Sequence, residues 1–298
     1  MPWVKGHVLY SDVDRSPSHP SVLVLMSIAT TGVVCLLILS ALLAYPTARL
    51  THAVVQFDQN LLRLLNRVAG RSWGFDVLVW EVAHTVFLQA LMVAVFWGLW
   101  FAPSDDPSIR RRKRATMLTS LVGLYLTVVL AIVLRAVLPF RSRPCSDPTL
   151  VFQAPFSPSG DGVHASSTSF PAGHAAVFFA LAIGLWVVSA RLGILASLHA
   201  LLVICVPRIY IGLHYPTDIL AGALIGIVTV LLVNQILSRN SLVSRVLEWS
   251  ERHPAAFGAL LFLCCLEIAV EFSSIRGLLR MLQSSHINKL VLLPFGVS

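Results

Sequence analysis

The sequence predicts an all-α, polytopic membrane bundle, and three observations lead there. Of its 298 residues 56% are hydrophobic and only 12% charged, against roughly 25% charged in soluble domains. Mean hydropathy is +0.79. Apolar runs recur at about 20 residues, the length that crosses a bilayer as helix, rather than in the two-residue alternation of strands. The net charge of +8 and pI near 9.7 come from basic residues in the loops between these runs. Their expected partner is the anionic lipid headgroup, not nucleic acid. Five cysteines show no metal spacing and imply no disulfide framework.

Residues 1–20 are polar and read as a cytoplasmic tail. The first apolar run, 22–45, is too long for a signal-peptide core and reads as a span. Within 46–74, Leu61, Leu62, Leu64, Leu65 and Val68 interleave with Arg63, Asn66, Arg67 and Arg71 at helical spacing, which predicts an interfacial amphipathic helix. Further spans are expected at about 77–101, 117–138, 173–188, 192–211 and 219–237, and a seventh at about 255–272. This divides the chain into a tail (1–20), a membrane-embedded core of six helices (21–240) and a C-terminal extension with one span (241–298).

The Arg110-Arg111-Arg112-Lys113-Arg114 run fixes the expected orientation. Basic loops stay in the cytoplasm, so counting spans outward from it places the amino terminus, Arg191 and 239–252 on the same side. The opposite, extracytoplasmic face then receives the ends of three segments that carry ionisable residues beside apolar runs: Arg135 to Pro144, Ser169 to His174, and Arg208 to Asp218. Ionisable groups at membrane depth are costly and point to function.

His214 and Asp218 are four apart, so on one helix they share a face. The carboxylate is expected to accept from one ring nitrogen, fix the tautomer and leave the other nitrogen as nucleophile or ligand. Tyr215-Pro216 suits a helix start. Arg208 and Arg143, with Arg135 inside the membrane, supply guanidinium forks that match phosphate oxygens. Arg141 reads as a solvated loop charge. Pro171 and Gly173 precede an apolar helix whose first N–H groups, including those of Ala172 and Gly173, form an anion site. His174 stands beside it as a general acid. Two histidines and an aspartate can also ligate zinc, but the surrounding arginines would repel a dication, so no metal and no cofactor are expected. Glu81 and His84 read as polar packing between helices. Glu267 and Glu271 share a face without an assigned mechanism. His164 reads as a solvated loop residue.

Together these segments resemble the type 2 phosphatidic acid phosphatase superfamily. Its motifs are Lys, six residues, Arg-Pro; then Pro-Ser-Gly-His; then Ser-Arg, five residues, His, three residues, Asp. The third is met at Arg208, His214 and Asp218 with Pro207 for the serine. The second is met at Pro171, Gly173 and His174 with Ala172 for the serine. The first is met at Arg143-Pro144, with Ala136 at the lysine position and Arg135 beside it. The resemblance covers about residues 58–237. A nearby Pro158-Ser159-Gly160-Asp161 lacks the histidine and is set aside.

The resemblance implies a lipid phosphatase in a bacterial inner membrane. In its two-step mechanism His214 attacks phosphorus, Asp218 steadies the histidine, the arginines hold the phosphate oxygens, and His174 protonates the leaving oxygen. Undecaprenyl diphosphate is the favoured substrate, because the stretches around His174 and His214 look most like bacterial members of the family, with glycerophospholipid phosphates and lipid A phosphate left open. Two alternatives stand beside this expectation: a lipid phosphotransferase using the same histidine, and a lipid-phosphate binding or transport protein without turnover.

Overall fold

The computed structural model describes residues 49–158, 167–237 and 240–270, with isolated positions 27, 31, 32 and 272. The expected tail, almost all of the first span, His164, Glu271 and the 159–161 part of the rejected motif lie outside these residues. The regular elements among the described residues are all helical: α1 (Arg49–Asn66), α2 (Trp73–His84), α3 (Val86–Phe101), α4 (Pro107–Val137), α5 (Gly173–Val188), α6 (Ala190–His199), α7 (Val206–Tyr210), α8 (Pro216–Leu237), α9 (Ser241–Arg252) and α10 (Pro254–Ala269), with a 3-10 turn at Pro144–Ser146 and a π-helical turn at Ala200–Cys205.

Three segments are long and apolar enough to cross a membrane: Pro107–Val137, Ala190–Tyr210 and Pro216–Leu237. The expected second span is a bent pair, α2 and α3, meeting at 42°. The break falls at Thr85, whose extended backbone closes α2 by donating its N–H to the Glu81 carbonyl. The expected seventh span, α10, turns away from the amphipathic α9 by 117° at His253-Pro254. Counting each bent pair as one span gives up to five. Helix α5 is apolar but only 16 residues long.

Helices α4, α5 and α8 form the centre. Helices α5 and α8 are backbone to backbone: a Cβ on Gly222 would land on the Ala172 carbonyl oxygen, and one on Gly226 on that of Ala176. Small residues four apart permit this approach, which lipid alone would not drive. Polar side chains join α4 to α8, where Asn234 donates to Ser120 Oγ (2.9 Å) and accepts from Thr119. Phe96, Met117, Leu124, Phe178, Leu185 and Val230 fill the space between helices.

The path between α6 and α8 decides where the site residues fall. Pro207 lacks an N–H and its ring would crowd the carbonyl four residues back. Just before it, Ala200–Cys205 is wound as π-helix, a register shift that absorbs such a defect. After α7 the chain turns at Gly212, φ +79°, where a side chain would strike the Phe152 ring at 2.6 Å. Helix α1 packs on α7 and α8. Asn66 fastens it to the loop after α4 through paired bonds with the Gln153 main chain, 2.7 and 2.9 Å.

Candidate active site

The three ionisable segments meet at one end of the bundle. Arg135, in the last turn of α4, donates from Nε to the Pro171 carbonyl at 3.0 Å, and its guanidinium lies 3.5 Å from where a Cβ of Gly173 would stand. Arg143 grips the same loop through Ser167, Nε to the carbonyl at 3.1 Å and Nη2 to Oγ at 2.7 Å. The Ala172 N–H donates to the Asp218 main-chain carbonyl at 3.0 Å, joining the start of α5 to the start of α8. The basic run at 110–114 begins α4 at its other end, roughly 40 Å away along a helix rising 1.5 Å per residue. There Arg111 pairs with Glu248 of α9.

His214 is 2% exposed. Its Nδ1 lies 2.9 Å from the Ser169 carbonyl oxygen. A carbonyl only accepts, so Nδ1 carries the hydrogen and Nε2 keeps its lone pair. This corrects the expected pairing: Asp218 Oδ2 is 3.8 Å from Nδ1, outside hydrogen-bond length. The carboxylate instead closes the first turn of α8 by accepting the Tyr215 N–H at 2.7 Å, the reciprocal bond of a capping box. Ser169 therefore sets the tautomer, and Asp218 stands where it can balance a positive charge on His214.

Arg141 is the second correction. Its side chain is only 16% exposed and bridges two carboxylates, Asp218 Oδ1 and Asp58 Oδ2, both at 2.6 Å. Its guanidinium lies 4.0 Å over the Tyr215 ring, and Tyr215 Oη donates to Asp147 at 2.9 Å. Burial works against the charge on Arg141, but Asp218 and Asp58 outweigh it and raise its pKa.

Ala172 is the third correction. Its N–H, expected to hold phosphate, is committed to Asp218. Gly173 and His174 open α5 just beyond it. Arg208 is buried, with Nη1 donating to the Ile204 carbonyl at 2.8 Å within the π-helical turn. Glu81 and His84 are exposed on α2, and His84 lies stacked on Trp80, away from the site. Among the described residues no three His, Cys, Asp or Glu side chains group to hold a metal ion.

Sequence reasoning missed Asp58, Thr217, Ser167 and Ser169. Asp58 carried a readable signal: it falls four residues before Leu62 and eight before Asn66, on the buried face of α1, where a charge needs a partner. Ser169 carried none, because its carbonyl does the work. Its buried hydroxyl has no hydrogen-bond partner among the described residues.

Fold and site define a helical membrane protein with a histidine, an aspartate and several arginines gathered at one end of its bundle. Comparison with known proteins agrees with the motif resemblance: residues 114–242 match the model of the PAP2 superfamily, a stretch holding Arg135, Arg143, His174, Arg208, His214 and Asp218. Over 89 residues the chain is 32% identical to the Bacitracin transport permease protein BcrC of Bacillus licheniformis, which is 30% of this chain and 43% of that protein. The chain thus spans less than half the length of that relative. The crystal structure of a transmembrane PAP2 type phosphatidylglycerolphosphate phosphatase from Bacillus subtilis superposes with a TM-score of 0.48 at 22% identity, covering 71% of this chain and 96% of that one.

Burial holds the His214 imidazole below its ordinary value. Asp218 opposes that shift, and the charges of Arg143 and Arg135 reinforce it. A histidine that serves as a nucleophile must be neutral, and a lowered pKa keeps His214 neutral as pH falls. The acid limb of kcat/KM for the free enzyme is therefore expected below the usual imidazole range, read from a pH profile on any lipid phosphate that turns over.

Proposed function

We propose that the protein is an integral membrane lipid phosphatase that hydrolyses a lipid phosphate or diphosphate through a phosphohistidine, without a metal. One observation carries this reading: the buried His214 presents Nε2 as a free nucleophile because Nδ1 is spent on the Ser169 carbonyl. In the first step Nε2 attacks phosphorus, the bond to the leaving oxygen breaks, and His174 gives that oxygen its proton. Arg143, Arg135 and Arg208 take the charge on the non-bridging oxygens, as phosphoryl transfer by positioning and charge stabilisation requires. In the second step His174 takes a proton from water, whose oxygen displaces Nε2 and releases phosphate. The imidazolium formed between the steps is balanced by Asp218, 3.8 Å from Nδ1.

The lipid tail stays in the bilayer while the phosphate enters from the side of α1. The site faces the extracytoplasmic side of a bacterial inner membrane and the amino terminus the cytoplasm, since the basic run lies at the far end of α4. Residues 21–240 are the phosphatase core, flanked by the tail 1–20 and the extension 241–298. Undecaprenyl diphosphate is the favoured substrate.

The test is phosphate release by the detergent-purified protein with excess EDTA on undecaprenyl diphosphate, phosphatidic acid and phosphatidylglycerol phosphate. EDTA-resistant release is expected, fastest on undecaprenyl diphosphate. Release that stops with EDTA and returns with a divalent ion would overturn the metal-independent route. Faster release from either other lipid would move the substrate assignment.

A further inference from the structure

The interfacial helix α1 reaches the reacting histidine through a chain of charged side chains. Asp58 sits on its inner face, fully buried. Asp58 Oδ1 accepts the Thr217 N–H at 2.9 Å, and Oδ2 accepts from Thr217 Oγ1 and from Arg141 Nη2, both at 2.6 Å. Arg141 Nη1 turns the other way, to Asp218 Oδ1 at 2.6 Å and Thr217 Oγ1 at 3.0 Å. Asp218 in turn stands beside His214. None of these links is local in sequence except His214 to Asp218: α1, the loop after α4 and the start of α8 come together only in the fold.

We infer that Asp58 and Arg141 are positioning residues for the Asp218–His214 pair, so that α1 is part of the catalytic apparatus and not merely a membrane anchor. Three features support this. A carboxylate held by Arg141 on one oxygen and by the Tyr215 N–H on the other cannot rotate, which fixes its distance to His214. Arg141 alone would neutralise Asp218, and Asp58 returns the local balance to one negative charge, suited to one imidazolium. The outer face of α1 presents Phe57 and Leu64, so the helix grips the site with one face and offers lipid the other. Partners that orient metal ligands from behind typically contribute on the order of 10- to 100-fold, and the same scale is expected of partners that orient this carboxylate.

This inference rests on the phosphohistidine reading, and its test separates the two. Arg141→Gln and Asp58→Asn are measured beside His214→Ala, each with thermal unfolding in detergent as a folding control. Each positioning variant is expected to lose roughly 10- to 100-fold in kcat with KM changed less than about threefold. Their acid limbs are expected to move in opposite directions. His214 faces Asp218 from α8, Arg143 from the loop after α4 and Arg135 from the end of α4, with Arg141 and Asp58 next in line. Removing the Arg141 charge leaves Asp218 uncompensated and raises the limb; removing the Asp58 charge lowers it. A purely structural role would not produce opposite shifts.

Arg141 also lines a cavity of about 350 Å³ with Asp58, Gln59, Asp147 and Tyr215, through which a guanidinium ion can enter. Arg141→Ala is therefore expected to recover activity in guanidinium and not in equal sodium chloride. Folded Arg141→Gln and Asp58→Asn enzymes with kcat within about threefold of wild type, beside an inactive His214→Ala, would overturn the inference and leave the phosphohistidine standing. An active His214→Ala would overturn both.

Discussion

His214→Ala is expected to lose phosphate release by at least about a thousandfold in kcat, with lipid binding retained, because no neighbouring group can take over as nucleophile. Asp218 is spent on Arg141 and the Tyr215 N–H. His174 lies at the start of a different helix, and the proposed mechanism gives it the leaving group. The residual rate would come from the arginines, which still bind and polarise the phosphate. The loss is therefore read as chemistry only if Kd for the lipid stays near its wild-type value while release disappears. A rapid quench adds the second readout. Wild-type protein mixed with a phosphate ester of a good leaving group should yield a phosphoenzyme stable in base and labile in acid, as a phosphorus–nitrogen bond is. His214→Ala should yield none. Retained turnover in His214→Ala would mean that water is activated directly. Wild type that binds lipid phosphate without releasing phosphate, and that passes no phosphoryl group to an acceptor, would favour a binding protein built on the same site.

The sequence made the bundle legible because its signals are long-range only along the chain. Among the described residues, apolar runs of span length and the Pro171/Gly173 start of α5 predicted helices whose bounds agree with the fold to within a few residues, except at the start of α4. The bend at Thr85 escaped because no proline or glycine marks it. The long reach of α4, which begins at Pro107 and not near residue 117, escaped because its first turns are basic and look like loop. At the site the residue types were readable but their pairing was not. His214 and Asp218 four apart suggested a hydrogen bond, yet the Ser169 carbonyl, 45 residues earlier, takes that place. Arg141 looked like a solvated charge because the carboxylate that buries it, Asp58, lies 83 residues away. Single-sequence reasoning sees spacing within an element; partners brought together by the packing of α1, α5 and α8 have no spacing to see.

That packing carries the second large expectation. Gly226→Ala is expected to destabilise the protein by about 2 kcal/mol or more and to lower activity by roughly 100-fold, although it lies more than two turns from Asp218. The added methyl would overlap the Ala176 carbonyl oxygen and stand 2.9 Å from the Ala180 nitrogen. These are backbone atoms, which cannot rotate aside, so α5 and α8 must separate. Separation is costly twice over. It forfeits close contact along the pair that lipid cannot replace, and it moves the starts of two helices that meet at the Ala172 N–H to Asp218 carbonyl bond. His174 travels with α5 and Asp218 with α8, and a displacement near 1 Å at a reacting centre costs on the order of 100-fold. Gly98→Ala is the matched control: a Cβ there meets nothing within 4 Å, and alanine favours helix by up to about 1 kcal/mol. Unfolding temperature and kcat measured for both variants in detergent check the argument. A fall in both for Gly226→Ala, with neither lowered in Gly98→Ala, is the expected pattern. Gly226→Ala that unfolds early yet retains wild-type kcat at low temperature would mean that α5 and α8 hold the fold without setting the geometry of the site.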